Sequence, residues 1–300
     1  MRSRSVPIGC FFLWCLILGL GCSRSPTVIL YCAQDQVYAE PILAEFTHTT
    51  GVRVQAVFDS EAVKTVGLAN RMLAEQAHPV GDVYWGNEEF QIRRLDAAGV
   101  FRQTNGWATF GQRTRRLVTG TRFSELGNRG LAALTNSEVR GRVSLAFPLF
   151  GSTSTHLQAL RADWGETRWL EWCRALAANR PFIEEGNSHV VQRVTRGEAW
   201  VGLTDSDDIQ ASRREGGAVE AGPELLRIPN GVAVLQGAPH GEAAEKLFQF
   251  LQSSRVRAQL LAAGAIEPDG TTVPPLRPNW AVMLRDQTLA VRQLQEVFQR

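Results

Sequence analysis

The chain has 300 residues, of which 44% are hydrophobic and 21% charged, so it is long enough for two lobes with separate cores and too apolar for extensive disorder. Its formal net charge of +2 falls to zero without residues 1–22, because Arg2 and Arg4 are the only charged residues there. A nucleic-acid binder needs a basic surface, and this balance predicts no nucleic-acid partner.

The first 22 residues have the pattern of a secretory signal: two arginines, an apolar run over residues 8–20, and small residues before Cys22. The run is shorter than the roughly 20 apolar residues that span a bilayer. Gly19-Leu20-Gly21-Cys22 resembles a bacterial lipoprotein cleavage site, although Gly19 stands where such sites usually carry Leu. We expect an exported, periplasmic protein that is anchored to a membrane only through lipid on Cys22. Ordinary signal cleavage nearby is the alternative.

Strands and helices alternate in the first part of the mature chain. The apolar, β-branched run 27–32 predicts a strand, and the helix that follows it ends at Gly51. Alternation over 52–58 predicts a second strand, and residues 61–77 have the spacing of a helix. A third strand is expected at 82–85. Such alternation predicts an α/β fold with a doubly wound, mostly parallel sheet that is covered on both faces.

A second α/β unit follows in the middle of the chain. Residues 100–140 yield only one predicted strand, at 116–119, whereas residues 142–146 form a clear apolar strand. Beyond it, VGLTDSDD at 201–208 predicts a buried strand that ends in an acidic loop. Further strands are expected at 226–229 and 231–235. A long helix over 241–263 and a final helix that ends at Arg300 complete the prediction.

Short polar side chains follow the predicted strands or open the predicted helices. In open α/β sheets ligands bind beyond the carboxyl ends of the strands, and helix N-termini bind oxyanions through unpaired N–H groups. Ordinary helix capping is the alternative for each loop. The predicted ligand-binding residues are Gln34, Asp35, Ser60, Glu61, Asn87, Glu88, Ser152, Thr153, Ser154, Asn187, Ser188 and Asp205.

Carboxylates are frequent among these loops, and their oxygens suit a hard metal cation. The predicted metal ligands are Asp35, Glu61, Glu88, Asp207 and Asp208. The nucleophile elbow, the phosphate-binding loop and the HExxH motif are all missing from the sequence. No catalytic residue and no catalytic cofactor are therefore assigned.

Two segments, RGRVSLAFPLFGSTSTH and GNSHVVQRVTRGEAWVGLTDSDD, resemble the periplasmic solute-binding proteins of ABC importers, and in particular the ferric-iron-binding branch. The resemblance extends over nearly all of the mature chain. It implies the two-lobed, type II periplasmic-binding-protein fold with a ligand cleft between the lobes, and a monomer that delivers its ligand to permease and ATPase subunits. The predicted first lobe comprises residues 27–112 and 229–272, and the second comprises 113–228 and 273–300.

The sequence departs from the ferric-binding branch at its metal site. Typical members end the central strand with two adjacent tyrosines that hold Fe³⁺, and Asp207 and Asp208 occupy those positions here. Near the end of the first strand, Asp35 is the only ionisable candidate. Three possibilities follow: Fe³⁺ held by carboxylates and a bound anion, another divalent metal, or a small organic anion such as a phosphonate. An exported metal-dependent hydrolase is a less favoured alternative.

Overall fold

The computed structural model describes residues 25–58, 64–268 and 276–299. Within them lies one sheet of eight strands: β1 (Thr27–Cys32), β2 (Arg53–Phe58), β3 (Val83–Gly86), β4 (Trp107–Gly120), β5 (Val143–Ala146), β6 (Phe182–Glu184), β7 (Val201–Asp205) and β8 (Val219–Val234). The first helices are α1 (Gln36–Thr50), α2 (Lys64–Ala74), α3 (Glu89–Ala97), α4 (Ser124–Asn128), α5 (Ala132–Thr135) and α6 (Gly151–Trp164). The others are α7 (Glu166–Ala178), α8 (Asn187–Thr195), α9 (Ser206–Arg214), α10 (Gly241–Leu251), α11 (Ser254–Ala263) and α12 (Trp280–Phe298).

The sheet has the strand order β2-β1-β3-β8-β4-β7-β5-β6. β1 pairs in parallel with β2 and β3, and β5 pairs in parallel with β6 and β7. Between these groups the long strands β4 and β8 run antiparallel to each other and to their neighbours. We call β1–β3 with α1–α3, α10 and α11 the first half of the fold, and β5–β7 with α4–α9 and α12 the second half.

The α/β class and the alternation of strands and helices in the first part and in the middle of the chain are confirmed, but β4 and β8 are longer than predicted. β4 begins at Trp107, well before the strand expected at 116–119, and β8 is one strand where two were expected. The β4–β8 register shifts three times, between Thr109 and Gly111 and twice around Arg116. Each shift interrupts the period-two alternation by which a strand is recognised.

Two further expectations are corrected. The predicted helix over 241–263 is divided into α10 and α11, because Ser253 caps the second helix by accepting a hydrogen bond from the Val256 N–H at 3.3 Å. The acidic loop expected after β7 is instead the first turn of α9, which begins at Ser206. Asp207 and Asp208 are therefore held on a helix.

Separate apolar clusters cover the sheet in each half. In the first half, Val28 of β1 packs with Phe46 of α1 and Leu247 of α10. In the second half, Leu157 of α6 packs with Trp169 of α7 and Leu294 of α12. In the described part of the chain, every helix is too short or too polar to be a candidate for spanning a bilayer.

Arg214, at the end of α9, joins the two halves of the fold. Its guanidinium donates hydrogen bonds to the carbonyl oxygens of Ala262, at 3.2 Å, and Ala263 at the end of α11. The next residue, Gly264, has φ +71°, and a Cβ there would lie 2.6 Å from Arg214 Nη2. The glycine therefore provides both the left-handed conformation that ends α11 and the space for the guanidinium.

We predict that Gly264→Ala lowers the free energy of unfolding by about 2 kcal/mol, because it combines backbone strain with displacement of Arg214. In an Arg214→Ala background the cost should fall to the strain alone, about 1 kcal/mol. Urea unfolding of the two single variants and the double variant measures the coupling. Strictly additive costs would mean that Gly264 and Arg214 act independently.

Candidate functional site

The predicted binding residues that the structure describes lie at strand ends and in the first turns of helices. Gln34 and Asp35 follow β1, and Asn87 and Glu88 connect β3 to α3. In the second half, Ser152, Thr153 and Ser154 lie in the first turn of α6, Asn187 and Ser188 begin α8, Asp205 ends β7, and Asp207 and Asp208 lie in the first turn of α9. The predicted Ser60 and Glu61 lie outside the described residues.

Asp205 is the centre of the contacts at this edge of the sheet. Arg115 lies opposite it in the β4–β7 ladder and donates from Nη1 to Oδ1 at 2.8 Å. Arg113 places Nε 2.9 Å from Oδ2, and Ser152 Oγ and Asn187 Nδ2 donate to the same oxygen at 2.7 and 3.1 Å. Burial alone would raise the pKa of Asp205, but the two guanidinium groups hold it below its ordinary value.

The hydroxyl and amide groups expected to bind an anion hydrogen-bond to Arg115 instead. Its Nη1 donates to Ser152 Oγ at 3.1 Å and to Asn187 Oδ1 at 2.9 Å, and its Nη2 donates to Thr153 Oγ1 at 3.0 Å. Ser154 Oγ accepts from Gln158 Nε2 at 3.0 Å. The first turns of α6 and α8 are thus attached to the Arg115–Asp205 pair by their side chains.

Ser188 lies apart from the residues that contact Arg115 and Asp205. Together with Asp208 it lines a pocket of about 260 Å³ between α8 and α9. Asp208 therefore has two neighbourhoods, this pocket and the acidic cluster that it forms with Asp205 and Asp207.

The acidic cluster contains one carboxylate oxygen from each of Asp205, Asp207 and Asp208, all within 4.8 Å of one another. Asp207 is 4% exposed, and Asp208 is half-buried. Arg113 Nη1 lies 3.7 Å from Asp207 Oδ2. The other oxygen, Oδ1, is buried and accepts no hydrogen bond from the described residues. Buried polar atoms are rarely left without a partner, so this oxygen is suited to coordinate a ligand.

Burial and mutual repulsion raise the pKa values of Asp207 and Asp208 in this cluster. Burial raises the pKa of Asp207 to about 7, and repulsion from Asp205 and Asp35 adds to the rise although Arg113 opposes it. The pKa of Asp208 is also raised, first by burial and then by repulsion from Asp207. A cation among these groups would favour their ionised forms.

Glu88 brings a carboxyl group from the first half of the fold. It is 1% exposed, accepts a hydrogen bond from Thr155 Oγ1 of α6, and keeps Oε1 without a partner among the described residues. Burial raises its pKa to about 7. Because Thr155 belongs to the second half, this hydrogen bond joins the two halves.

The start of α1 also faces the acidic cluster. Burial raises the pKa of Tyr38 to about 12, with further increases from Asp207, Asp35 and Asp208. A phenol that the sequence analysis did not consider therefore lies near the acids. Gln34, which follows β1, accepts a hydrogen bond at Oε1 from Asn230 Nδ2 of β8 at 3.3 Å.

The sequence analysis missed the two arginines that organise this site. Arg113 and Arg115 were in a segment for which only residues 116–119 were predicted to form a strand. Their spacing of two places both on one face of β4, and this alternation is the signal that could have identified them. Arg113 is 4% exposed and Arg115 is 0% exposed, which is rare for arginine without an acidic partner.

Comparisons with known proteins agree with this architecture. The profile of the bacterial extracellular solute-binding proteins matches residues 29–265. Iron-bound HitA from Pseudomonas aeruginosa has a TM-score of 0.78 at 20% identity, covering 91% of this chain and 99% of that chain. The ferric binding protein from Campylobacter jejuni has a TM-score of 0.76 at 14% identity, with 90% and 99% covered.

A third similar structure has a different bound molecule. AfuA from Actinobacillus pleuropneumoniae, with exogenous fructose-6-phosphate bound, has a TM-score of 0.76 at 15% identity, covering 92% of this chain and 99% of that chain. No curated protein matches the sequence significantly. These likenesses confirm the predicted periplasmic-binding-protein fold.

We predict that Asp207→Asn stabilises the ligand-free protein at alkaline pH. The folded pKa of about 7 lies above the ordinary 3.8, so the folded state keeps a proton that the unfolded state loses, and stability falls as pH rises through this window. Near pH 8 the free energy of unfolding, measured with urea, should be about 1–2 kcal/mol higher for the variant than for the wild type. Near pH 4 the two proteins should differ little. Asp163→Asn, at an exposed position of α6, is the control. An unchanged free energy of unfolding near pH 8 would show that burial and repulsion do not disfavour the ionised form of Asp207.

Proposed function

The chain belongs to the bacterial extracellular solute-binding protein family, and we propose that it captures a metal cation of the Fe³⁺ type for an ABC importer. Members of this family bind and deliver solutes and do not transform them, so the hydrolase alternative is set aside. The cation is held in a cleft between the two predicted lobes and passed to permease and ATPase subunits. Lipid on Cys22 holds the mature protein at a membrane on its periplasmic side.

The observation that carries this proposal is a largely buried acidic cluster in which carboxylate oxygens have no hydrogen-bond partner among the described residues. Asp205, Asp207 and Asp208 bring three carboxylates within 4.8 Å, and both Asp207 Oδ1 and Glu88 Oε1 lack hydrogen-bond donors among the described residues. Oxygen-rich, negatively charged sites bind hard cations. Asp207, Asp208 and Glu88 are the proposed ligands, with Asp35 beside them.

The surroundings of Asp205 support a cation over an anion. At the starts of α6 and α8, the side chains of Ser152, Thr153 and Asn187 are engaged by Arg115 and Asp205 and are therefore not free for an oxyanion. Asp205 itself is compensated by two guanidinium groups. Asp205 therefore has a structural role, and the cation ligands are the acids of α9 and the first half.

Similar proteins lend further support. HitA is described as iron-bound, and the Campylobacter jejuni protein as a ferric binding protein. This chain has Asp207 and Asp208 where that branch carries tyrosines, so its site is built mainly from carboxylates, with Tyr38 as a nearby phenol. We therefore expect hard divalent cations such as Mn²⁺ to compete with Fe³⁺.

A small organic anion such as a phosphonate is the second candidate. The observation in its favour concerns Arg113. Its buried guanidinium forms ion pairs with Asp205 and Asp207, but its Nε has no hydrogen-bond partner among the described residues. AfuA, which has the same fold, was found with fructose-6-phosphate. An anion at Arg113 would have to lie beside the carboxylates of Asp205 and Asp207.

We predict that a metal cation stabilises the Cys22→Ser protein that lacks residues 1–21. Ligand at a hundred times its Kd adds about 2.7 kcal/mol to the free energy of unfolding, which raises the Tm by several degrees. Thermal unfolding is measured with Fe³⁺-citrate, Mn²⁺, Zn²⁺, Ca²⁺, phosphate and a phosphonate, and with citrate alone as a control. The shift should vanish in Asp207→Ala/Asp208→Ala and persist in Asp163→Asn. Stabilisation by anions alone would favour the second candidate.

Proton release distinguishes the two candidates independently. A cation that ionises Asp207, Asp208 and Glu88 releases protons, so its apparent affinity rises with pH up to and through about 7. An anion would raise these pKa values further and take protons up. Titration calorimetry with Mn²⁺ in two buffers of different ionisation enthalpy gives the sign. Proton uptake would contradict the cation proposal.

A further inference from the structure

Arg113 and Arg115 differ sharply in how they are held. Arg115 donates through Nη1 and Nη2 to Asp205, Asn187 and three further oxygen atoms, and only its Nε lacks a partner among the described residues. Arg113 has ion pairs only, at 2.9 Å to Asp205 and 3.7 Å to Asp207, and its Nε–H is not aligned with any acceptor in the described residues. Arg113 is therefore placed by charge alone.

Charge places Arg113 where a cation would bind. Its side chain is 5% exposed, and it is the cation paired with Asp207 in the described part of the chain. A carboxylate oxygen of Asp208 lies within 4.8 Å of a carboxylate oxygen of Asp207. A metal ion coordinated by Asp207 and Asp208 would therefore lie within a few ångströms of a permanent positive charge, and the two would repel each other.

Arg113 also keeps a partner if its contact with Asp207 is lost. Of its two ion pairs, the one with Asp207 is the longer, at 3.7 Å, whereas Arg113 Nε lies 2.9 Å from Asp205 Oδ2. Asp205 is fixed from the other side by Arg115 and Ser152. Losing the contact with Asp207 thus leaves Arg113 paired with Asp205, which Arg115, Ser152 and Asn187 also hold.

We propose that Arg113 is a tethered competitor for the cargo cation, which occupies the acidic cluster in the empty protein and must yield Asp207 when the cation binds. The inference rests on the proposed function. A competing charge makes binding an exchange, so an ion of higher charge gains most from displacing the guanidinium. Arg113 thereby determines specificity for cation charge and favours return to the empty state when the cargo leaves.

The test compares metal affinities of variants of the Cys22→Ser protein that lacks residues 1–21. Arg113→Met removes the charge and keeps much of the length, whereas Arg113→Lys keeps the charge. Arg116→Met removes a guanidinium from the same strand outside the cluster, where Arg116 contacts Glu267 and the carbonyl of Gly222. Titrations use Mn²⁺, Ca²⁺ and Fe³⁺-citrate.

We expect Arg113→Met to bind Mn²⁺ about ten-fold tighter than the wild type or more, because the competing charge is gone. Arg113→Lys and Arg116→Met should remain within about three-fold of the wild type, since both keep a positive charge in the cluster. Unchanged or weaker Mn²⁺ binding by Arg113→Met would overturn the inference. In that case Arg113 supports the cargo or a bound anion.

A second readout applies if Arg113→Met does not fold well. In Arg113→Ala, added ethylguanidinium at low millimolar concentration should raise the Tm, and Mn²⁺ should compete with it; the wild type should not respond. No effect of ethylguanidinium on a folded Arg113→Ala protein would also overturn the inference. Absence of metal binding by the wild type and by every variant would refute the proposed function, and the inference with it.

Discussion

The buried ion pair between Arg115 and Asp205 is the interaction on which the rest of the site depends. Both side chains are almost fully removed from water, and an unpaired charge in such a place is strongly destabilising. The pair forms across neighbouring positions of β4 and β7. The Nη1 and Nη2 groups of Arg115 also donate hydrogen bonds to Ser152, Thr153 and Asn187. One electrostatic requirement therefore fixes the register of two central strands and the starts of α6 and α8.

Chain direction explains why neighbouring acids of one short segment have different roles. Asp205 is the last residue of β7, and its side chain lies in the ladder against Arg115. Two residues later the chain has turned into α9, so Asp207 and Asp208 project from a helix N-terminus. The helix dipole favours negative charge there, but burial and mutual repulsion oppose it. The strand acid stabilises the fold, and the helix acids remain available to a ligand.

Much of the fold could be predicted from the sequence, because β1, α1, β5 and β7 have clear apolar periodicity and recognisable ends. The long strands could not, since the β-bulges in β4 break the alternation that identifies a strand. The positions of the polar loops were also predictable, but the partners of their side chains were not. Ser152 and Asn187 have the composition of an anion site. Only the placement of Arg115 shows that these two side chains accept hydrogen bonds from a buried guanidinium of the same chain.

A protein that must release what it captures benefits from a site that is only partly compensated when empty. Full pairing of Asp207 and Asp208 by anchored arginines would remove the drive to bind a cation, whereas no compensation would leave crowded buried carboxylates that destabilise the fold. The contacts lie between these limits. Arg115 is held by several hydrogen bonds and pairs with Asp205. Arg113 pairs with both Asp205 and Asp207, at unequal distances. The unequal sharing lets the same two arginines stabilise the fold and leave the acids of α9 only partly compensated.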